Sequence, residues 1–312
     1  MGTQTFRMAG AKVQGTCMKP LFSLRENVRL GQGLKREGRI RQEAMERARA
    51  ALESFKKVLE QHSVTRVRAV GTAALRQAAN AHELMEYAAF LGLAVETINW
   101  QEEAALAVRG AGSALGKLES SWAMIDVGGG SSEIVFCSHE EIISSISLEI
   151  GAVSLLDMLP AKHACDVREL SDTARQFVSA GLSGFSFPPE RVERAVGTGG
   201  TATTVAAVAE GLENYDPRRI RGRTVSLSDL RQLLSRMCYM DLEERRKVKG
   251  LEPARADIFP AGIAILAEIV SYLELNEMTV SDGGLLSGLL IAFMEKECDL
   301  YVEPSCARSL YL

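Results

Sequence analysis

The run from Asp126 to Glu133 reads Asp-Val-Gly-Gly-Gly-Ser-Ser-Glu and concentrates more usable chemistry than any other stretch of the chain. Gly128, Gly129 and Gly130 carry no side chain, so the backbone there can approach an anion closely and turn its N–H groups inward as a nest. Ser131 and Ser132 add hydroxyl donors. Asp126 is a hard oxygen ligand of the kind Mg²⁺ prefers, and Glu133, just past the turn, can face the same cleft. A glycine hairpin with solvated polar neighbours is the bland alternative. The aspartate before the glycines and the Ser-Ser-Glu after them favour a phosphate and metal site.

Five weaker features accompany it. Gly197-Thr198-Gly199-Gly200-Thr201 is a second glycine turn, offering Gly199, Gly200 and Thr201 to a phosphate. Gly2, Thr3, Gln4 and Thr5 place small donors after a glycine, although a short polar terminus by itself is more often frayed. Glu102-Glu103-Ala104 opens a predicted helix, where the macrodipole favours acids in any case, so local evidence alone assigns it no role. Arg76 fits a phosphate or a surface ion pair equally well. Arg218 to Arg223 holds four arginines in six residues; such a run is usually a solvated loop, but it can also steer a polyanion. No serine sits in a GxSxG elbow and the histidines form no triad.

Alternating elements must position these residues. Strong amphipathic spacing predicts a helix over Gln42–Gln61, with Ala44, Ala48, Leu52, Phe55 and Leu59 on one side. A strand is expected over Val64–Val70, one helix over Ala74–Leu91, a strand over Leu93–Ile98 and a helix over Glu102–Leu115. Strands Trp122–Asp126, Glu133–Cys137 and Glu141–Ile150 follow, the first two joined by the glycine turn. Strand–turn–strand differs from a dinucleotide-binding start, where the glycines lead straight into a helix. Helices are expected within Leu155–Leu182, and then a strand Arg191–Val196 and a helix Thr203–Glu210. Helices Leu227–Met240 and Pro260–Leu275 come next, and a strand Met278–Ser281 enters Asp282-Gly283-Gly284. This alternation points to mostly parallel sheets covered by helices, with ligands at the carboxyl ends of strands.

The 312 residues suit two domains, and 46% hydrophobic with 24% charged residues describes a globular chain. A net charge of −4 argues against a general nucleic-acid binder, which needs a broad cationic face. Six scattered cysteines without a CxxC pair and only four histidines argue against a zinc site or a disulfide framework. Reduced thiols in a cytoplasm are the simpler expectation. No signal peptide and no apolar run of membrane-spanning length is expected, and Leu285 to Phe293 reads as a buried helix.

In order and spacing these motifs together resemble the exopolyphosphatase / guanosine pentaphosphatase (Ppx/GppA) family. Gly2 to Arg7 resembles its first phosphate loop, and Gly71 to Arg76 with Asn80 another of its motifs. Glu102-Glu103-Ala104 is similar to its paired-acid motif and Ile125 to Glu133 to its second phosphate loop. Ser147 to Leu155 also matches a family motif. Gly197 to Thr201 resembles its third glycine loop, and Arg255-Ala256-Asp257 with Pro260 and Gly262 a later signature. The resemblance implies an actin-like ATPase fold of two ribonuclease-H-like domains, here expected over 1–115 and 116–312, with mixed sheets, helices on both faces and an interdomain cleft; the last helix is expected to pack back on the first domain. It implies Mg²⁺-dependent removal of terminal phosphate from inorganic polyphosphate, or of the 5′ γ-phosphate from guanosine pentaphosphate. Glu103 becomes the general base. Glu133 helps to hold water and metal, Asp126 orients the metal, and the loops with Arg76 hold phosphates.

Three departures stand out. The family's opening strand and its aspartate are expected ahead of Gly2, the Arg-Glu pair of a late motif is Leu286-Ser287, and Glu149 replaces a proline. With no room before residue 312 for the helical C-terminal domain of the longest members, shorter polymers are expected to be preferred. The expected assembly is a homodimer without nucleic acid or membrane. Rival readings are a non-catalytic sensor of polyphosphate or guanosine tetraphosphate, and an actin-like kinase.

Overall fold

The computed structural model describes residues 1–14, 17–116, 118, 120–139, 141–159, 166–188 and 191–298. The first half opens with an antiparallel hairpin, β1 (Phe6–Gln14) and β2 (Cys17–Glu26). Short α1 (Leu34–Glu37) and long α2 (Gln42–Gln61) follow. Next come β3 (Ala69–Gly71), α3 (Ala73–Gln77), α4 (Ala81–Phe90), β4 (Val95–Thr97) and α5 (Trp100–Leu115). Only the last residues of the expected Val64–Val70 strand pair, in parallel with β4. The single helix expected over Ala74–Leu91 is two. Asn80 breaks it, because its side chain is committed to the backbone N–H and carbonyl of Ile40, and such side-chain bonding competes with helix continuation.

The strands of this half form two separate two-stranded sheets, β1–β2 and β3–β4. Met1 touches the second of them: its amino group donates to Val70 O (2.7 Å) and its carbonyl accepts from Thr72 N (3.2 Å). A cavity lined by Met8 to Ala11 of β1 and by Val67 to Val70 runs between the sheets.

The second half is built on one six-stranded sheet. Its strands are β5 (Ser121–Val127), β6 (Ser132–Ser138), β7 (Glu141–Leu148), β8 (Arg194–Thr198), β9 (Thr224–Ser226) and β10 (Glu277–Val280). Their order is β7-β6-β5-β8-β10-β9. The sheet is mixed, correcting the mostly parallel arrangement read from the alternation of elements. Only β5–β8 and β8–β10 are parallel, while β5–β6, β6–β7 and β9–β10 are antiparallel. The reason is local: the tight glycine turn after Val127 leaves no crossover helix, so β6 must return beside β5.

The helices of this half are α6 (Ala152–Met158), α7 (Val167–Leu182), α8 (Gly199–Ala209), α9 (Pro217–Ile220), α10 (Leu227–Tyr239), α11 (Leu242–Arg245), α12 (Phe259–Tyr272) and α13 (Leu285–Cys298). The middle of the expected Leu155–Leu182 helical stretch, 160–165, lies outside the described residues.

Strand alternation divides the sheet into two faces. Ala123, Ile125, Val127, Ile134 and Phe136 join the core formed with α7, α8, α10 and α12. Trp122, Met124, Val135 and Cys137 face the other way, onto Ala104, Ala107, Val108 and Ala111 of α5. So α5, which follows the first half in sequence, covers the second half's sheet. The last helix, α13, packs along α5. Gly288 allows the approach, since a Cβ there would lie 1.7 Å from Leu106 O. Among the described residues no helix is long and apolar enough to cross a membrane. Cys137 is a buried free thiol; Cys165 and Cys306 lie outside the described residues, as do the side chains of Cys17 and Cys298.

Candidate active site

Asp126 near the end of β5 is the register partner of Glu133 on β6. Directly opposed residues share a face, and this is the face that α5 covers. Asn99 caps the N-terminus of α5 by accepting from Glu102 N (2.8 Å), and the next residue, Glu103, then stands over the same sheet edge. Three carboxylates from three elements thus line one cavity of about 1080 Å³, together with Gly2 to Thr5, Gly128 to Ser131 and Thr198 to Gly200.

Each acid has a distinct environment. Glu103 accepts from Arg76 Nη1 (2.8 Å), which also donates to Ile98 O (2.8 Å). Burial raises the Glu103 pKa against this guanidinium. Glu133 is 5% exposed and accepts from Ser147 Oγ (3.0 Å). Burial first, and then the charges of Glu103 and Asp126, push its pKa well above the carboxylate range. Burial and Glu103 push Asp126 up to about 6, with Arg7 and Arg255 opposing. Like charges that raise one another mark a place where a cation or a proton is wanted. Gly199 makes room for Asp126: its φ is +74, a region that disfavours side chains, and a Cβ there would lie 2.0 Å from Asp126 Oδ1.

The first glycine loop is fixed by backbone pairing, with Gly31 N donating to Thr3 O (2.9 Å) and Arg29 N to Gln4 O (2.9 Å). It meets the second loop, because Thr3 side-chain atoms lie 3.0–3.2 Å from where a Cβ of Gly130 or Gly129 would be. Gln4 Nε2 is buried with no protein partner, an unfilled donor of the kind that a ligand satisfies.

Two expected ligands are corrected. Ser132 Oγ donates to Ile150 O (2.6 Å) and Thr201 Oγ1 to Val127 O (2.8 Å), both buried and neither lining the cavity. Ser132 precedes Glu133 on a strand, so alternation turns it to the opposite face. Thr201 lies inside α8, where its hydroxyl ties the helix to β5. Arg76 likewise is not part of the cavity lining; it holds Glu103. The arginines of 218–223 are matched by acids: Arg218 with Asp216, Arg219 and Arg223 with Glu210, and Arg221 with Asp282. Arg7, at the end of the first expected phosphate loop, lines the cavity, and so does Arg25, which sequence reasoning missed; its signal lay in the hairpin register, which needs the turn position to be known.

Among the described residues no three His, Cys, Asp or Glu side chains are grouped closely enough to cage a metal. The donor set instead suits a hard cation held by one or two carboxylates and completed by phosphate oxygens and water, which is how Mg²⁺ is usually bound.

A profile of the Ppx/GppA phosphatase family matches residues 10–297. Exopolyphosphatase 2 of Mycobacterium tuberculosis is 34% identical over 277 residues, covering 85% of this chain and 86% of that protein. The crystal structure of the Aquifex aeolicus Ppx/GppA family member superimposes with a TM-score of 0.78 at 30% identity, over 95% of this chain and 96% of that one. An exopolyphosphatase from Cytophaga hutchinsonii gives a TM-score of 0.80 at 25% identity, covering 97% of both chains. The architecture is accordingly the actin-like ATPase fold of those neighbours. With its glycine loops, its converging acids and this match along nearly its whole length, the chain belongs to the Ppx/GppA phosphatase family.

Proposed function

We propose that this protein is an exopolyphosphatase that hydrolyses the terminal phosphoanhydride bond of inorganic polyphosphate. One observation carries the reading: Glu103, Asp126 and Glu133, each with a raised pKa, line one cavity with the backbone of two glycine loops. The name of the Mycobacterium tuberculosis relative supports the substrate.

In this reading the backbone N–H groups of Gly128–Gly130 and the Gly2–Thr5 loop receive the terminal phosphate. Glu103 accepts a proton from the attacking water as the new P–O bond forms. The bridging P–O bond breaks, releasing orthophosphate and a chain shorter by one unit. A base whose pKa is lifted toward neutrality is suited to this task. Arg76 acts through Glu103, fixing its orientation. Asp126 and Glu133 would hold Mg²⁺, whose contribution when bound is to neutralise phosphate charge. Phosphoryl transfer needs such positioning more than covalent chemistry.

Guanosine pentaphosphate is the second substrate candidate, because Tyr215 lines the same cavity and is 54% exposed, leaving an aromatic face for a purine. The test is phosphate release from medium-length polyphosphate with Mg²⁺, with guanosine pentaphosphate in parallel. Release from polyphosphate that stops in EDTA supports the proposal. A folded sample that releases phosphate from neither compound overturns it in favour of a binding protein.

A further inference from the structure

Among the described residues β1 pairs only with β2, and β3 only with β4. Each therefore keeps one edge without a partner strand, a row of backbone donors and acceptors open to pairing. Both open edges line the gap between the two sheets. Met1 closes one end of it and fixes its width. Its amino group donates to Val70 O (2.7 Å) and its carbonyl accepts from Thr72 N (3.2 Å). Bonding the residues on either side of Gly71 is the parallel ladder pattern. On the other side Gly2 N donates to Thr5 O (3.0 Å), a tight antiparallel return that sets Met1 opposite Phe6. One residue thus bridges the gap, so the gap is one strand wide. Both registers can be followed away from Met1. The next positions fall opposite Val70 and Arg7, then Ala69 and Met8, then Arg68 and Ala9, then Val67 and Gly10. All eight residues line the cavity. Two edges read independently define one line, parallel to β3 and antiparallel to β1.

The walls of the gap state what fits. Leu52, Phe55 and Leu59 of α2 line it, and so do Leu289, Phe293 and Met294 of α13. Phe6 and Met8 join the core with α2, and Val70 joins the cluster with Leu289. A strand covered by helices on both faces is apolar at successive positions rather than alternating. The end at Met1 has a charge requirement of its own. Burial pushes the pKa of the Met1 amine down to about 6, with Glu103 opposing, and Glu103 is already bound by Arg76 (2.8 Å). A carboxylate brought beside that amine would favour its protonated form. We propose that the gap between β1 and β3 is a strand-docking site for the apolar carboxyl-terminal segment of a partner polypeptide, about five residues long, running parallel to β3 with its free carboxylate against Met1. Main-chain pairing on both edges supplies the binding and the helix walls supply the selectivity. Docking joins the two small sheets into one, in the order β2-β1-peptide-β3-β4.

The probe is a soluble fluorescent peptide, Lys-Lys-Val-Ile-Val-Ile-Val with a free carboxylate, added to the full chain. Fluorescence anisotropy reads binding and hydrogen exchange reads its place. Saturable binding is expected, with slowed exchange in β1 and β3, no change in β6 and a higher melting temperature at saturation. The same peptide amidated at its end should bind about tenfold more weakly. A version with proline at two of the apolar positions, which cannot donate to either edge, should not bind. As a covalent competitor, the chain is lengthened ahead of Met1 by Val-Ile-Val-Ile-Val. It breaks no contact of the fold, and it should melt higher and lose peptide binding. Four results overturn the site: no binding by wild type, equal binding of the proline peptide, equal binding by the lengthened chain, or protection outside β1 and β3. Equal binding of the amidated peptide would overturn the assignment of its carboxylate to Met1. None of these readouts involves phosphate release, so the site and the exopolyphosphatase reading fail separately.

Discussion

The two halves of this molecule meet the same cleft with different scaffolds. The second half presents Asp126 and Glu133 from neighbouring strands of one six-stranded sheet, buried on both faces. The first half presents Arg7 and Arg25 from a two-stranded hairpin, and a cavity separates that hairpin from the other two-stranded sheet. Sheets of two strands are marginal alone and depend on what they pack against. Groups on the continuous sheet are therefore held more rigidly than groups on the thinner one. Cross-half contacts anchor the segment that follows the hairpin, through Arg29 on Asp257 (2.7 and 2.9 Å) and Gly33 N on Asp157 (2.9 Å).

The sharpest test of this division is Glu103→Gln. It should lower kcat by about 10²–10⁴-fold, the usual share of a general base, while polyphosphate still binds in a calorimeter. Retained turnover would remove Glu103 from the chemistry and leave the continuous sheet with two acids only. Next in size is Gly288→Ala. The α5–α13 crossing is the joint between the halves, and a methyl group against Leu106 O forces the helices apart. A loss of about 1–3 kcal/mol in chemical denaturation is expected, with turnover falling as Glu103 shifts. Unchanged stability would mean that the joint is loose.

Arg29→Ala should cost less, about 1 kcal/mol, because its pair with Asp257 is only partly buried. Its effect should be regional. Hydrogen exchange should quicken in β1 and β2 and hardly change in β5 and β8. Equal protection of both sheets in wild type would erase the contrast between the halves.

The smallest effect is on pH. Asp126 binds its proton more tightly folded than unfolded, with a pKa near 6 against the ordinary carboxylate range. The folded state therefore carries the extra proton between those values, and stability falls as pH rises through that window. Thermal melts in EDTA should show the decline, and Mg²⁺ should flatten it. A melting temperature that rises over the same window would show that the acids are already neutralised by protein.

Much of this arrangement was legible in the residues. The Asp126–Glu133 run announced itself because one tight turn brings its donors together locally. Glu103 did not: by itself it is an acid in a first helical turn, and only the crossing of α5 onto a sheet formed later in the chain gives it partners. Ser132 and Thr201 were misread because hydroxyls near a glycine loop look alike until strand alternation and helix docking assign their faces. The parallel bias had a similar cause, since alternating elements do not reveal that β6 turns straight back on β5. Arg25 was missed because it meets the cleft only through its register opposite Arg7, and register depends on a turn that composition does not locate.

Two opposed pairs of like charge, Asp126 with Glu133 and Arg7 with Arg25, sit in one cleft with opposite signs. Each pair is a local frustration that a sequence selected for folding alone would have removed. A bound cation would relieve the acidic pair, and anything that binds only the folded state stabilises it by mass action. By that linkage an ion that settles between the two acids would raise the folded fraction as well as assist the chemistry.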